Sequence, residues 1–317
     1  VSWMTETRNQ RLSSPPYTMK PFAAVSALLV LALSLSGCIS PPLALTPQTE
    51  QRLKAEAPIR FLLTFDDGPS ASGFMNPSRS VMADLANNPI QPGIKAVFFL
   101  QTEAPRSGGN PRGRKTMERE YAAGHILAFH TATPWHSNHR SQNPVELEHY
   151  LSLGSSTLES ITGQPPTLVR PPFWNYDKRT FAAYQQHGLH VLLTDLSAND
   201  GVIWVFNGSP RRRENLIRQL SVLRERIAKG ELPTVDGVIP VVVTFHDINR
   251  YTAWHLKEYL QILMDSARIN GVPVARQPFY TDRAALQRAA MARTVKDADE
   301  VVHLPGVWNW VWDADSH

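Results

Sequence analysis

Two adjacent carboxylates, Asp66 and Asp67, end an apolar run, Ile59 to Pro69 (IRFLLTFDDGP). Asp-Asp-Gly-Pro has the composition of a turn, so both acids leave the C-terminal end of a strand together. Neighbouring side chains at a strand end diverge, which lets one carboxylate hold a metal while the other handles a proton. On the dipeptide alone a plain turn would be the better explanation. Other ionisable residues, however, follow other apolar runs. His130 closes HILAFH, with His136 and His139 just beyond. Arg170 follows TLV and precedes Pro171-Pro172-Phe173. Asp195 and Asp200 come after His190–Thr194, and His246-Asp247 end VIPVVVTF. Each has a bland explanation by itself, a satisfied core histidine or a helix-capping acid. Five strand ends carrying such groups to one rim are much harder to explain by packing alone.

A common rim requires parallel strands. Each strand here is a continuous apolar run, and strands alternate with helices about seven times. That pattern predicts a parallel α/β sheet closed, or nearly closed, into a single distorted (β/α) barrel of about seven strands, spanning residues 58–290. Ligands bind at the C-terminal strand ends of such sheets. The spacing predicts helices near 80–86, 116–123 (stopped by Gly124), 178–187, 214–229 and 253–269, before a short strand at 272–275. Asn143-Pro144 opens another helix, with a capping side chain and a proline at its first position, ending near Gly163. Residues 102–115 hold Arg106, Arg112, Arg114, Lys115 and three glycines. They read as an exposed, solvated loop, with contact to an acidic polymer as the lesser reading. The tail, 291–317, carries three tryptophans and is expected to fold back onto the domain.

The chain has 317 residues, 42% hydrophobic and 19% charged, which suits an ordinary globular protein with a sizeable core. Its net charge is +4, half of it from Arg8, Arg11 and Lys20 against Glu6. No basic helix or aromatic-basic sheet motif accompanies that charge, so nucleic acid is not an expected partner. Lys20 precedes an uncharged apolar run, PFAAVSALLVLALSL, too short for a comfortable membrane span, followed by Leu35-Ser36-Gly37-Cys38. This resembles the signal of bacterial lipoproteins, which implies lipidation of Cys38 and a membrane anchor on the periplasmic side of the envelope. Ile39 after the cysteine points to the outer membrane. Residues 1–18 lie upstream of a better start at Met19 and could be a mis-called start. Residues 39–57, rich in proline, read as a tether. Cys38 is the sole cysteine, so no disulfide within the chain is expected.

The ordered motifs resemble the NodB-type polysaccharide deacetylases, carbohydrate esterase family 4. Thr64-Phe65-Asp66-Asp67-Gly68-Pro69 is similar to the family's first motif. Gly124-His125 through His130-Thr131 resembles the start of the second, and Arg170-Pro171-Pro172-Phe173 the third. Asp195 to Asp200 resembles the fourth, and Val243 to Asp247 the fifth. The resemblance runs from about Ile59 to Ala275. It implies a divalent metal, zinc above cobalt, nickel or manganese, with Asp67 and His130 as ligands. It further implies Asp66 as general base, Arg170 holding that carboxylate, and His246 as general acid. Asp200, or alternatively Asp195, would orient His246, and a backbone N–H after the second motif or near Phe173 would hold the oxyanion.

Two departures bear on the site. Pro134 stands where the family has its second metal-binding histidine, so the ligand is expected to move to His136, with His139 in reserve. Gly201 stands where a tryptophan is usual, leaving Phe173 and one of Trp135, Trp174 or Trp204 to wall the substrate; Trp135 is favoured. The expected activity is removal of N-acetyl groups, with release of acetate, from a cell-envelope or exported polysaccharide containing N-acetylglucosamine. The alternatives are a non-catalytic glycan-binding lipoprotein on the same fold, or a hydrolase of O-acetyl esters or small amides.

Overall fold

In the computed structural model the described residues are 57–200, 209 and 211–305, all within one compact unit. Cys38, Gly201 and Trp204, singled out in the sequence, lie outside them. Eight strands form one parallel sheet. These are β1 (Ile59–Gly68), β2 (Val97–Gln101), β3 (Ile126–Thr131), β4 (Leu168–Val169), β5 (His190–Val191), β6 (Leu196–Ser197), β7 (Ile239–His246) and β8 (Val274–Phe279). Seven lie in the order β5-β4-β3-β2-β1-β7-β6, and β8 adds to β1 near its start. Helices alternate with them: α1 (Pro77–Ala86), α2 (Pro111–Ala122), α3 (Pro144–Thr162), α4 (Lys178–Gln186), α5 (Arg212–Ala228), α6 (Arg250–Ile269) and α7 (Arg283–Ala292).

The sheet cannot be flat. β5 lies at one end of the strand order and β6 at the other, yet only residues 192–195 separate them. Seven flat strands would place those edges about 29 Å apart at normal strand spacing. The chain from Val191 to Leu196 reaches at most about 18 Å. The sheet therefore curls into a distorted barrel, and this short segment spans the seam. Leu192 donates its N–H to Val169 O (2.9 Å) on one side, and Asp195 donates to Val242 O (3.0 Å) on the other.

Strand alternation divides the core in two. Phe61, Leu63, Phe65, Phe98, Phe129 and Phe245 face the helices. Leu62, Val97, Phe99, Ala128 and Val242 face inward, where Leu286, Ala289 and Ala290 of α7 join them. A boundary at residue 290 thus falls inside a helix that packs against the barrel interior. The chain beyond it also packs down, with Val295 and Leu304 buried in the outer core.

Three helices open on the same Asn-Pro pair, with Asn76, Asn110 and Asn143 capping and proline at the first helical position. Asn143 and Glu146 complete a capping box, and α3 ends at Gly163 in the left-handed region (φ 75°). The pair at Asn110-Pro111 corrects the reading of 102–115 as loop throughout. Its last five residues are the start of α2, because the capping signal outweighs the polar, glycine-containing composition. The strands expected at Thr167–Pro172 and His190–Thr194 shrink to two residues each at the irregular seam.

Two buried histidines tie this core to pH. His125 Nδ1 accepts the Ala96 N–H (3.1 Å), and its ring lies edge-on to Phe98. His139 Nδ1 pairs with the Tyr184 hydroxyl (2.8 Å). Burial pushes each imidazole down to about 3, with neighbouring Lys95 and Arg283 adding to the effect at His125, and His130 and His136 at His139. Below pH 6.5 the unfolded chain takes up protons that the folded chain refuses. Stability is therefore expected to be full above that pH and to fall progressively toward pH 3, by about 1.4 kcal/mol per pH unit for each histidine at most. Urea midpoints measured from pH 7 to 4 should show this slope, and His125→Asn should reduce it.

Candidate active site

The site follows from the register of β1 with β7. Thr64 lies opposite Thr244 and Asp66 opposite His246, so all four stand in adjacent inward layers near the rim. Arg170, from the end of β4, reaches across the interior beneath them and is fully buried. Its Nη1 donates to Asp66 Oδ1 (2.8 Å), Thr64 Oγ1 (2.6 Å) and Thr244 Oγ1 (2.9 Å). Nε and Nη2 donate to the Leu192 and Leu193 carbonyls, each at 2.9 Å, in the seam. Burial lowers the guanidinium and Asp66 works against that, leaving one cation matched by one carboxylate. Removing one partner from such a pair typically costs about 3–5 kcal/mol.

Asp67 turns the opposite way. Its backbone is left-handed (φ 68°), a conformation Asp tolerates better than most residues, and Gln101 Nε2 donates to its carbonyl (3.1 Å). Gly68 follows because a Cβ there would lie 2.2 Å from Asp247 Oδ1. Asp247 itself packs behind this turn, where burial pushes its carboxyl up to about 7.

Asp67 Oδ1 lies 3.2 Å from His130 Nε2 and 3.2 Å from His136 Nε2, and the two nitrogens are 3.2 Å apart. His130 Nδ1 is 2.7 Å from the Arg170 carbonyl, which can only accept, so that nitrogen carries a proton and Nε2 is the ring atom turned to Asp67. Asp67 Oδ1 is buried and accepts no hydrogen bond despite its two neighbours. Burial alone would raise this carboxyl, but His130, His136 and His246 together hold it well below the usual carboxylate range. An equilateral triangle of donor atoms fits a cation. A tetrahedral zinc about 2.0–2.1 Å from each ligand requires ligand atoms roughly 3.3 Å apart. Among the described residues, Asp67, His130 and His136 are the group of three whose ligand atoms lie close enough together to hold a metal ion.

The loop after β3 thus delivers His136. His139, the reserve candidate, points instead into the core, against Phe129 and Tyr184. Asp200 is buried and holds His246 twice, at the ring Nδ1 (2.9 Å) and at the backbone N–H (2.9 Å). Burial would lower the His246 imidazole, but Asp200, reinforced by Asp67 and Asp66, pushes it up to about 10. Its Nε2 stands 3.9 Å from Asp67 Oδ2. The other candidate, Asp195, is engaged elsewhere: it accepts from Val242 N–H (2.8 Å) and from Arg293. Asp200 has further support from Thr252 and Asn249 at the start of α6, two residues that sequence reasoning missed. Thr64 and Thr244 were missed too, although a threonine on the inward side of an apolar strand is a visible signal.

Phe173 is half exposed and meets His136 edge-on at 4.6 Å. Its backbone is left-handed (φ 60°), strained for a residue with a Cβ, and among the described residues its N–H makes no hydrogen bond. Trp135 is 63% exposed beside the rim, whereas Trp174 is buried in the outer core. A groove of about 500 Å³ opens next to Asp67, lined also by Ser70, Gln101, Arg106, Pro134 and Ile248.

A parallel α/β barrel with an Asp-His-His cluster, a salt-bridged acid and a carboxylate-held histidine at its rim has the build of a metal-assisted hydrolase. Residues 54–192 match the family described as polysaccharide deacetylase. The chain is 28% identical over 143 residues to a chitin deacetylase of Pestalotiopsis sp, an alignment covering 45% of this chain and 44% of that protein. It is 25% identical over 201 residues to the peptidoglycan-N-acetylglucosamine deacetylase PgdA of Listeria monocytogenes, covering 63% of this chain and 35% of that one. The chain thus spans less than half the length of these relatives. In fold it is similar to the chitin deacetylase of the fungal pathogen Colletotrichum lindemuthianum (TM-score 0.51, 20% identity, 69% of this chain and 86% of that one). The family match stops at residue 192, so the roles of Asp200 and His246 rest on geometry.

The metal assignment has a direct test. Protein purified in zinc should carry about one ion per chain, and His130→Ala or His136→Ala should lose it, while His139→Gln should keep it. Elemental analysis reads this out. Loss of metal in the His139 variant alone would overturn the ligand set.

Proposed function

We propose that this protein is a metal-dependent hydrolase that removes N-acetyl groups from an N-acetylglucosamine-containing polysaccharide of the cell envelope or an exported one, releasing acetate. The observation that carries this reading is the 3.2 Å triangle of Asp67, His130 and His136 set beside two separately held proton carriers. Asp67, His130 and His136 would hold the ion, with zinc favoured by two imidazoles and one carboxylate. When bound, it supplies Lewis acidity, acidifying water and polarising the acetamide carbonyl.

The chain's own residues do the rest. Asp66, fixed by Arg170, accepts the proton of the attacking water as oxygen bonds to the carbonyl carbon. The free N–H of Phe173 is available to donate to the oxygen on which charge develops. His246, kept protonated by Asp200, gives its proton to the departing nitrogen as the carbon–nitrogen bond breaks. Acetate and a glycan amine result, and the amine becomes cationic at neutral pH. The exposed faces of Phe173 and Trp135 are suited to flank a sugar ring.

The non-catalytic alternative drew its support from the altered spacing after His130; His136 Nε2 lying 3.2 Å from both Asp67 Oδ1 and His130 Nε2 favours the enzyme reading instead. Acetate release from short N-acetylglucosamine oligomers tests the activity. Asp66→Asn and His246→Ala should each lower kcat by roughly a hundredfold or more, within the usual span for general acid–base groups. Asp200→Asn should lower kcat without loss of metal. Wild-type protein with a full metal complement and no acetate release from any N-acetylated oligomer would refute the reading. O-acetylated glycans in the same panel separate ester from amide hydrolysis.

We further propose lipid anchoring at Cys38 on the periplasmic side, at the outer membrane, supported by Lys20, the apolar run and Leu35-Ser36-Gly37-Cys38. Metabolic labelling with palmitate should mark the wild-type chain and not Cys38→Ser. The variant should leave the membrane fraction.

A further inference from the structure

The first half of α2 meets the loop after Asp67 in a cationic cleft that none of the chemistry above uses. Arg112, Lys115, Thr116 and Arg119 stand at i, i+3, i+4 and i+7, one face of the helix. Arg79, from the start of α1, faces them across Ser72, Gly73 and Asn76, enclosing a cavity of about 200 Å³. Four cationic side chains line it and no acid does. Glu118 lies off this face, and the nearby Glu103 is taken up by Arg114 and Thr157. None of Arg79, Arg112, Lys115 and Arg119 has a carboxylate partner among the described residues, although many other arginines of this protein do. Like charges held this close without counter-charges cost stability, which an anion would recover.

The cleft neighbours the active-site groove along one loop, Ser70 lining the groove and Ser72 the cleft. Ala71 donates its N–H to the Arg106 carbonyl (3.0 Å), joining the two loops. Arg106, exposed and also without a carboxylate partner among the described residues, lines the groove beside Asp67. A chain leaving the metal cluster along Ser70 therefore passes Arg106 and reaches the four-cation cleft. Along α2, Arg112 and Arg119 are about 10 Å apart, comparable with the repeat of a disaccharide.

Resting on the deacetylase reading, we propose that the glycan is polyanionic, carrying carboxylates on sugars flanking the one that loses its acetyl group, and that Arg106 and the α1–α2 cleft bind those charges. The guanidinium groups supply paired donors for carboxylates, and the polymer lies against them while its neutral N-acetyl sugar sits at the metal. Affinity then falls with salt, whereas the chemical step does not depend on these residues.

The test compares two oligomers of equal length, one of N-acetylglucosamine alone and one alternating glucuronate with N-acetylglucosamine. Wild-type protein should act on the acidic oligomer with a KM roughly tenfold lower at low salt, an advantage that shrinks as salt rises. Arg112→Glu/Lys115→Glu should abolish that advantage while metal content and the parameters for the neutral oligomer stay put. Arg112→Gln/Lys115→Gln, milder for folding, should lose part of it. Direct binding of the fluorescently labelled acidic oligomer to wild type and variants, followed by anisotropy, gives an answer even if neither oligomer is hydrolysed. No hydrolysis with charge-dependent binding would sink the enzyme reading and keep the cleft. Equal binding by wild type and the reversed variant would overturn the cleft, as would a preference for anionic vesicles or DNA over the acidic oligomer.

Discussion

One buried guanidinium holds this site and this barrel together. Arg170 is the largest fully buried side chain among the described residues, and its side-chain hydrogen bonds end on groups that must be brought close for the sheet to curl: Asp66 and Thr64 of β1, Thr244 of β7, and the seam carbonyls of Leu192 and Leu193. A barrel closed by a two-residue β5 and a two-residue β6 has few ladder hydrogen bonds at its seam. Arg170 supplies what the ladder lacks, and a planar five-donor fork is the side chain suited to do so. The same contact that closes the barrel also fixes the orientation of the Asp66 carboxylate. Closure of the seam and the orientation of Asp66 thus draw on one side chain.

The division of labour between the two aspartates has an equally local cause. Asp66 still belongs to the strand, with its side chain turned inward to Arg170 and a register partner in His246. Asp67 sits where the strand's register with β2 breaks, and its left-handed backbone swings the carboxylate over the rim to the histidines. Gly68 and Asp247 behind the turn leave no room for another arrangement. Two residues of the same type, one peptide apart, therefore meet different surroundings: a single buried cation below, and three imidazoles at the mouth.

Charge is sorted around this rim. Asp66, Asp67 and Asp200 are each set against Arg170 or a histidine, while Arg106 and the cations along the face of α2 have no carboxylate partner among the described residues. Such sorting costs stability in the free protein, since like charges repel across a low-dielectric wall. It is understandable where an anion spends time beside the reacting group. The basic residues of 102–115 looked like a solvated loop in the sequence; helix formation at Pro111 is what aligns Arg112, Lys115 and Arg119 into a face.

The sequence by itself determined the parallel α/β class, since unbroken apolar runs alternating with helical stretches have few other solutions, and it marked each strand end that carries chemistry. It named Asp66, Asp67, His130, Arg170 and His246, because an ionisable residue ending a buried strand has nowhere to point but the rim. It ranked His136 above His139 and Asp200 above Asp195 without a physical reason to exclude the second of either pair. Those choices depend on how irregular segments bend, and on which neighbour satisfies the competing side chain: Tyr184 takes up His139, and Arg293 takes up Asp195. Tertiary structure alone decided that residues 192–195 span the seam of the closed sheet, that Asn249 and Thr252 support Asp200, and that α7 contributes to the interior. Each joins residues far apart in the chain, and local pattern carries no information about pairings made across the barrel.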